Sequence, residues 1–222
     1  MERLARGWSQ KKVAERLGVS QAYVAMLEKG SRPLTERLAR KFVSATQSSA
    51  ILLPLPEMFD LKEMAPQQLA ESLAALGYPG YAYLKHRAAK KHPAEVLLLV
   101  LFLENLEPRL VEALPWLLLK FWQMDFSWLV EQAKRHDLQN RLGFAAALAR
   151  RMSAQKKNKD RSQKLAQLEA TLERSRLARE DNFLRPARNE AERRWIRENR
   201  SEDARHWNLL TDLRPQHLAY DA

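Results

Sequence analysis

The sequence predicts an all-α protein, and three observations carry that prediction. Only six of the 222 residues are glycine, and β-branched residues are few beside Leu, Ala, Glu, Arg and Gln, the residues that favour helix. Prolines stand just ahead of several apolar stretches, where a missing N–H costs nothing at a helix start. Apolar residues recur at spacings of three and four, which places them on one helical face. A content of 45% hydrophobic and 29% charged residues suits a soluble globular protein with a real core and one or two domains.

Taken in order, the amino terminus offers only Met1 to Arg6 before Gly7 and Trp8, so the first helix is expected to be short. Either Leu4 and Trp8 suffice to cover the core beneath it, or the chain begins upstream of Met1. Ser9 and Ser20 each stand immediately before a helical segment, where a side-chain oxygen accepts from a free backbone N–H. Val13, Ala14 and Leu17 share a face of the first segment, Val24 and Leu27 share a face of the second, and Val19 lies in the turn. Gly18 marks the bend, since glycine enters the left-handed region without steric cost. Two capped helices joined by a bend of about three or four residues make a helix-turn-helix. With Leu38 and Phe42 in the next helix, the first domain is expected over residues 1–46.

Residues 47–60 read as a linker, because two serines and the prolines Pro54 and Pro56 stop a helix. A helical bundle domain is expected over residues 61–152. Its helices run from Pro66 to Leu76, closed by Gly77, and from Pro93 through the apolar run Val96 to Leu103, which predicts burial on most sides. Another begins at Pro108, with Pro115 expected to kink or split it. Asp125 or Ser127 is the expected cap of the next helix, and Asp137 of the one after. Trp116, Phe121, Trp122, Phe126 and Trp128 are expected mostly in the core.

Residues 153–222 predict a charged helix and a docked helical tail. Leu165, Leu168 and Leu172 form one stripe that Ser175 and Arg179 interrupt, so a solvated helix with one docked edge is expected and not a coiled coil. Trp195, Ile196, Trp207, Leu209, Leu210, Leu213 and Leu218 are too many large apolar residues for a disordered tail.

The net charge of +11 points to polyanionic partners, nucleic acid first and an acidic protein second. Residues 1–46 hold ten basic and four acidic residues, the densest positive field in the chain. Absent cysteines exclude disulfides, thiol catalysis and Cys-based zinc sites. The longest apolar run is far short of the roughly 20 residues that span a bilayer, and the amino terminus does not resemble a signal peptide. No membrane partner and a cytoplasmic location are therefore expected.

No phosphate loop, HExxH pair or zinc-ligand cluster appears, and the histidines at 86, 92, 136, 206 and 217 are scattered. No metal, no cofactor and no enzymatic activity are expected. One catalytic pattern remains, Arg200 to His206 ("RSEDARH"), with the Arg-to-His spacing of some all-α ribonucleases. The run Lys156 to Arg161 ("KKNKDR") is either a phosphate contact or a solvated connection.

The helix-turn-helix resembles that of the Cro/CI-type repressors, the XRE family. The residues that carry the resemblance are Ser9-Gln10, Ala14, Leu17-Gly18-Val19-Ser20-Gln21, Val24, Leu27, Glu28, Gly30 and Arg32. The resemblance covers about a fifth of the chain. It implies that the second helix enters the major groove of double-stranded DNA, with Gln21 on a base or phosphate. Gln10 would brace Gln21 or bind phosphate. Ala22, Ala25 and Met26 would face the groove, with Tyr23 near the backbone. Lys11, Lys29, Arg32 and Arg37 would contact phosphates. Met26 stands where the family often has a long hydrogen-bonding side chain, so modest base specificity and salt-sensitive affinity are expected.

The family further implies a homodimer and a transcriptional regulator, expected here to be a repressor of its own operon, with residues 61–222 for dimerisation or a protein partner. The alternatives are an antitoxin that neutralises a partner toxin, and an all-α ribonuclease targeted by its head.

Overall fold

The computed structural model describes residues 2–57, 59–62, 64–84, 89–105, 107–183 and 189–218. Among them are twelve α-helices and one two-stranded parallel pairing. The first four helices, α1 (Glu2–Ala5), α2 (Gln10–Leu17), α3 (Gln21–Glu28) and α4 (Glu36–Thr46), enclose a small core of Val13, Ala14, Leu17, Val24 and Leu38. Trp8, Val19, Tyr23, Leu27 and Phe42 pack around its edge. Leu4 is not among them and is 56% exposed, so Trp8 is what covers this core at the amino terminus.

The far side of α4 serves a second core. Leu38 and Phe42 face the head, whereas Ala39 and Val43, roughly a quarter-turn round the helix, join the large core of the remaining chain. Residues 47–60, the expected linker, contain a 3-10 turn at Ala50–Leu52, and Ala50 and Leu53 are buried in that same large core. Pro56 accepts from the Trp128 indole N–H at 3.0 Å, and Phe59 meets the Trp128 ring edge-on.

The body continues with α5 (Pro66–Leu76), α6 (Pro93–Phe102), α7 (Pro108–Lys120), α8 (Ser127–Arg135), α9 (Gln139–Gln155) and α10 (Lys159–Glu173). Helices α5, α6 and α7 each start on their proline, and α5 ends at Gly77, as the sequence predicts. Of the two effects expected at Pro115, the split does not occur: α7 runs through it. One lost hydrogen bond is outweighed by the burial of Leu114, Trp116, Leu117 and Leu118 on either side.

Of the expected caps, one is narrowed and one differs. Ser127 is the first residue of α8 and not its cap, while the Asp125 carboxylate accepts from the Ser127 N–H at 2.9 Å. Asp137 does not cap α9; it takes a left-handed backbone (φ 58°) and pairs with Arg179 at 3.2 Å. Leu138 at the head of α9 is buried instead, because the hydrophobic contact outcompetes a polar cap there.

Helix α9 is the axis of the body. It packs on α7, α8 and α10, and buries Leu142, Phe144, Leu148 and three consecutive alanines. Its polar residues hold the chain's return. Asn140 exchanges hydrogen bonds with the backbone of Leu177, and Arg141 pairs with Asp181 through two nitrogens while donating to Leu101 O. Leu165, Leu168 and Leu172 are the buried edge of α10.

After α10 come β1 (Asp181–Asn182), α11 (Glu190–Asn199), α12 (Glu202–His206) and β2 (Leu209–Leu210), the strands pairing in parallel. The tail docks through Trp207, which lies against Gly143 so closely that a Cβ there would meet its ring at 2.4 Å. Glycine at 143 is thus a packing requirement and not a backbone one.

Candidate DNA-binding interface

The sharp turn between α2 and α3 is built from local hydrogen bonds. Ser9 Oγ accepts from Lys12 N at 3.2 Å, which caps α2, and Ser20 Oγ accepts from Tyr23 N at 3.1 Å, which caps α3. Gly18 ends α2 in the left-handed region (φ 67°), and Val19 N returns to Ala14 O at 3.0 Å. Lys41 of α4 donates to Leu17 O at 2.6 Å and stands 3.1 Å from where a Gly18 side chain would begin. The bend is therefore fixed both by backbone conformation and by a neighbour.

Helical spacing divides α3 into two sides. Val24, Leu27 and Tyr23 point to the small core, while Gln21, Ala22, Ala25 and Met26 fall together on the opposite side. Gln21 and Ala22 are exposed; Ala25, Met26 and Tyr23 are half-buried. At about 1.5 Å per residue this helix is about 12 Å long, a length and width that the major groove admits.

Glu28, at the last turn of α3, is held by three nitrogens. Arg3 approaches it with Nε at 2.5 Å and Nη2 at 2.8 Å, and Gln10 Nε2 donates to it at 2.7 Å. These partners, Arg3 first, pull the Glu28 carboxyl down to about 2. Gln10 therefore braces Glu28 and not Gln21. Sequence reasoning does not find this clamp, since Arg3 and Glu28 are 25 residues apart and no local pattern links them.

The ten basic residues of 1–46 separate into two groups. Six are engaged: Arg3 with Glu28, Arg6 with Ser48, Lys41 with Leu17 O, Arg40 with Glu36, and Lys12 and Arg16 over the Trp8 ring. The other four, Lys11, Lys29, Arg32 and Arg37, are exposed and have no ion-pair partner among the described residues. Lys11 lies in the first turn of α2, Lys29 immediately follows α3, Arg32 lies in the connection, and Arg37 is in the first turn of α4.

Two capped helices set across each other, with one free face on the second and unpaired cations at its flanks, define a helix-turn-helix DNA-binding domain. The particular family follows from comparison: residues 1–53 match the helix-turn-helix family model, and the amino-terminal domain is of the Cro/CI type, the XRE family. The match extends through α4 and the 3-10 turn that follows it. Neither comparison with curated proteins nor comparison with solved structures returns a match.

Other residues singled out in the sequence have structural partners. Arg200 pairs with Glu180 at 3.4 Å and donates to Leu209 O, and His206 contacts Glu173 at 2.7 Å. Arg161 is buried and donates to Ser153 Oγ and Leu119 O. Of the aromatic cluster, Trp116, Phe121 and Phe126 are buried and Trp122 and Trp128 half-buried. His86 lies outside the described residues. Among the described residues no helix is long and apolar enough to cross a membrane, and no group of acidic or histidine side chains has the arrangement of a metal site.

Proposed function

We propose that the protein is a sequence-reading transcriptional regulator that represses its own operon, works by binding and not by catalysis, and uses residues 61–222 to dimerise or to hold a protein partner. One observation carries the reading: the basic residues of the head with no ion-pair partner among the described residues lie in the helix-turn-helix, in the connection after it or in the first turn of α4, at Lys11, Lys29, Arg32 and Arg37. Cations without partners at a helix-turn-helix are the electrostatic footprint of phosphate contact. Gln21 then offers the one amide on the free face of α3, among the methyl groups of Ala22 and Ala25 and the thioether of Met26. The engagement of Arg200 and His206 with Glu180, Leu209 O and Glu173 supports a structural role for both, and with it the non-enzymatic reading.

The test is binding to the DNA upstream of the protein's own gene, against unrelated duplex, across a range of salt. Preference for the upstream fragment is expected. Lys29→Ala and Arg32→Ala should each weaken binding to both duplexes and lower the salt slope by about 1. Gln21→Ala should alter the preference. Equal affinity for both duplexes in the intact protein would overturn sequence reading.

A further inference from the structure

Leu17 ends α2, and the last carbonyls of a helix have no partner within it. Lys41 of α4 supplies one, with its Nζ 2.6 Å from Leu17 O, and a cation there also meets the negative end of the helix dipole. Gly18 and Val19 follow as the bend, and the Ser20 hydroxyl then caps α3. Arg16 of α2 ties the same two helices in the other direction, donating to Ala45 O of α4 at 3.1 Å.

Lys41 takes its position from a helix that the body holds. It lies on the head side of α4, between Leu38 and Phe42, while Ala39 and Val43, each about half a turn round from it, are buried in the large core. Farther along, the Thr46 hydroxyl donates to Phe42 O at 2.7 Å and lies 2.6 Å from Ser48 Oγ, and Thr46 and Ser48 are both buried. A packed helix of eleven residues moves as one piece, so a shift of Val43 in the body carries the Lys41 ammonium with it.

We propose that Lys41 is a positioning residue that sets the bend between α2 and α3 from the body side, so that a change in the large core reaches α3. Its effect on DNA rests on the reading of the head as a DNA reader, whereas its hold on the bend does not. Each tie lowers the share of molecules whose bend is out of the DNA-binding geometry, and apparent affinity follows the competent share.

The experiment uses the full chain with Lys41→Met, Lys41→Arg, Val43→Ala, and Lys41→Met combined with Val43→Ala. Hydrogen exchange at the Val19 amide, which bonds to Ala14 O across the bend, is expected to quicken about fivefold in Lys41→Met and to stay unchanged in Lys41→Arg. Val43→Ala, which opens a cavity on the body side, should quicken the same amide, but the combined variant should exchange no faster than Lys41→Met alone. Unchanged exchange in Lys41→Met, or full additivity in the combined variant, overturns the proposal. Binding to the upstream DNA should weaken about threefold in Lys41→Met, recover in Lys41→Arg and keep its salt slope. A slope lower by about 1 makes Lys41 a phosphate contact and overturns the positioning role. Equal binding of upstream and unrelated duplex by the intact protein removes the DNA reading, and a quickened Val19 amide then still supports the hold on the bend.

Discussion

Helices α3 and α9 have the same backbone and opposite surroundings. Of the seventeen residues of α9, thirteen are buried; of the eight in α3, Val24 alone is. Packing from several sides fixes α9, and so it tolerates an interior of alanines and a glycine whose only role is to admit Trp207. Helix α3 is gripped on one side and at its two ends, by the Ser20 cap and by the Arg3–Glu28–Gln10 clamp. Holding a helix by its ends leaves a whole face free, which a DNA reader requires and a core helix cannot offer.

The sharpest way to break this comparison is to remove one buried side chain from the body. Phe144 is fully buried and meets Phe183 edge-on, so Phe144→Ala should cost about 3–5 kcal/mol by chemical denaturation. A loss below that of a cap would mean that α9 is not the axis it resembles.

Next in size is an acid effect carried by the body. His92 caps α6 by accepting from Ala94 N at 3.1 Å, and burial lowers its imidazole to about 4, against a smaller opposing hydrogen bond to the Ile51 backbone. The unfolded chain then binds a proton near 6.5 that the folded chain refuses, so stability falls as pH drops from about 6.5 to about 4, by on the order of 3 kcal/mol. His92→Asn keeps a capping oxygen and should flatten stability across that window.

In the head, Ser20→Ala should cost about 1 kcal/mol and show most strongly in hydrogen exchange at the start of α3. The smallest effect belongs to the clamp. Glu28 is partly exposed, so Glu28→Gln should cost about 0.5–1 kcal/mol at neutral pH. Because its carboxyl is lowered to about 2, the contribution is present above about 4.5 and is lost as pH falls through about 2. Acid therefore loosens the body before the head. Head amides that exchange faster at pH 5, with the body unchanged, would reverse that order.

Elements whose causes are local were legible in the sequence. Ser9, Gly18 and Ser20 mark the helix-turn-helix, Pro66 and Gly77 bound α5, and Pro93 starts α6, because capping and proline effects act within one turn. The free face of α3 was legible for the same reason, since 3.6-residue spacing separates Val24 and Leu27 from Gln21 and Ala22. Expectations that relied on local rules where packing dominates did not hold for a split at Pro115 and for a cap at Asp137, whereas of Asp125 and Ser127 it is Asp125 that meets the first N–H of α8.

By itself, then, the sequence determined that the chain is helical, where its head bends and which side of α3 faces outward, since all three follow from neighbours within four residues. Only the tertiary structure decided that α4 serves two cores, that Gln10 turns to Glu28 and that Arg161 is buried. Each of those depends on groups far apart in the chain, whose meeting is set by how apolar faces are buried together and not by any local preference.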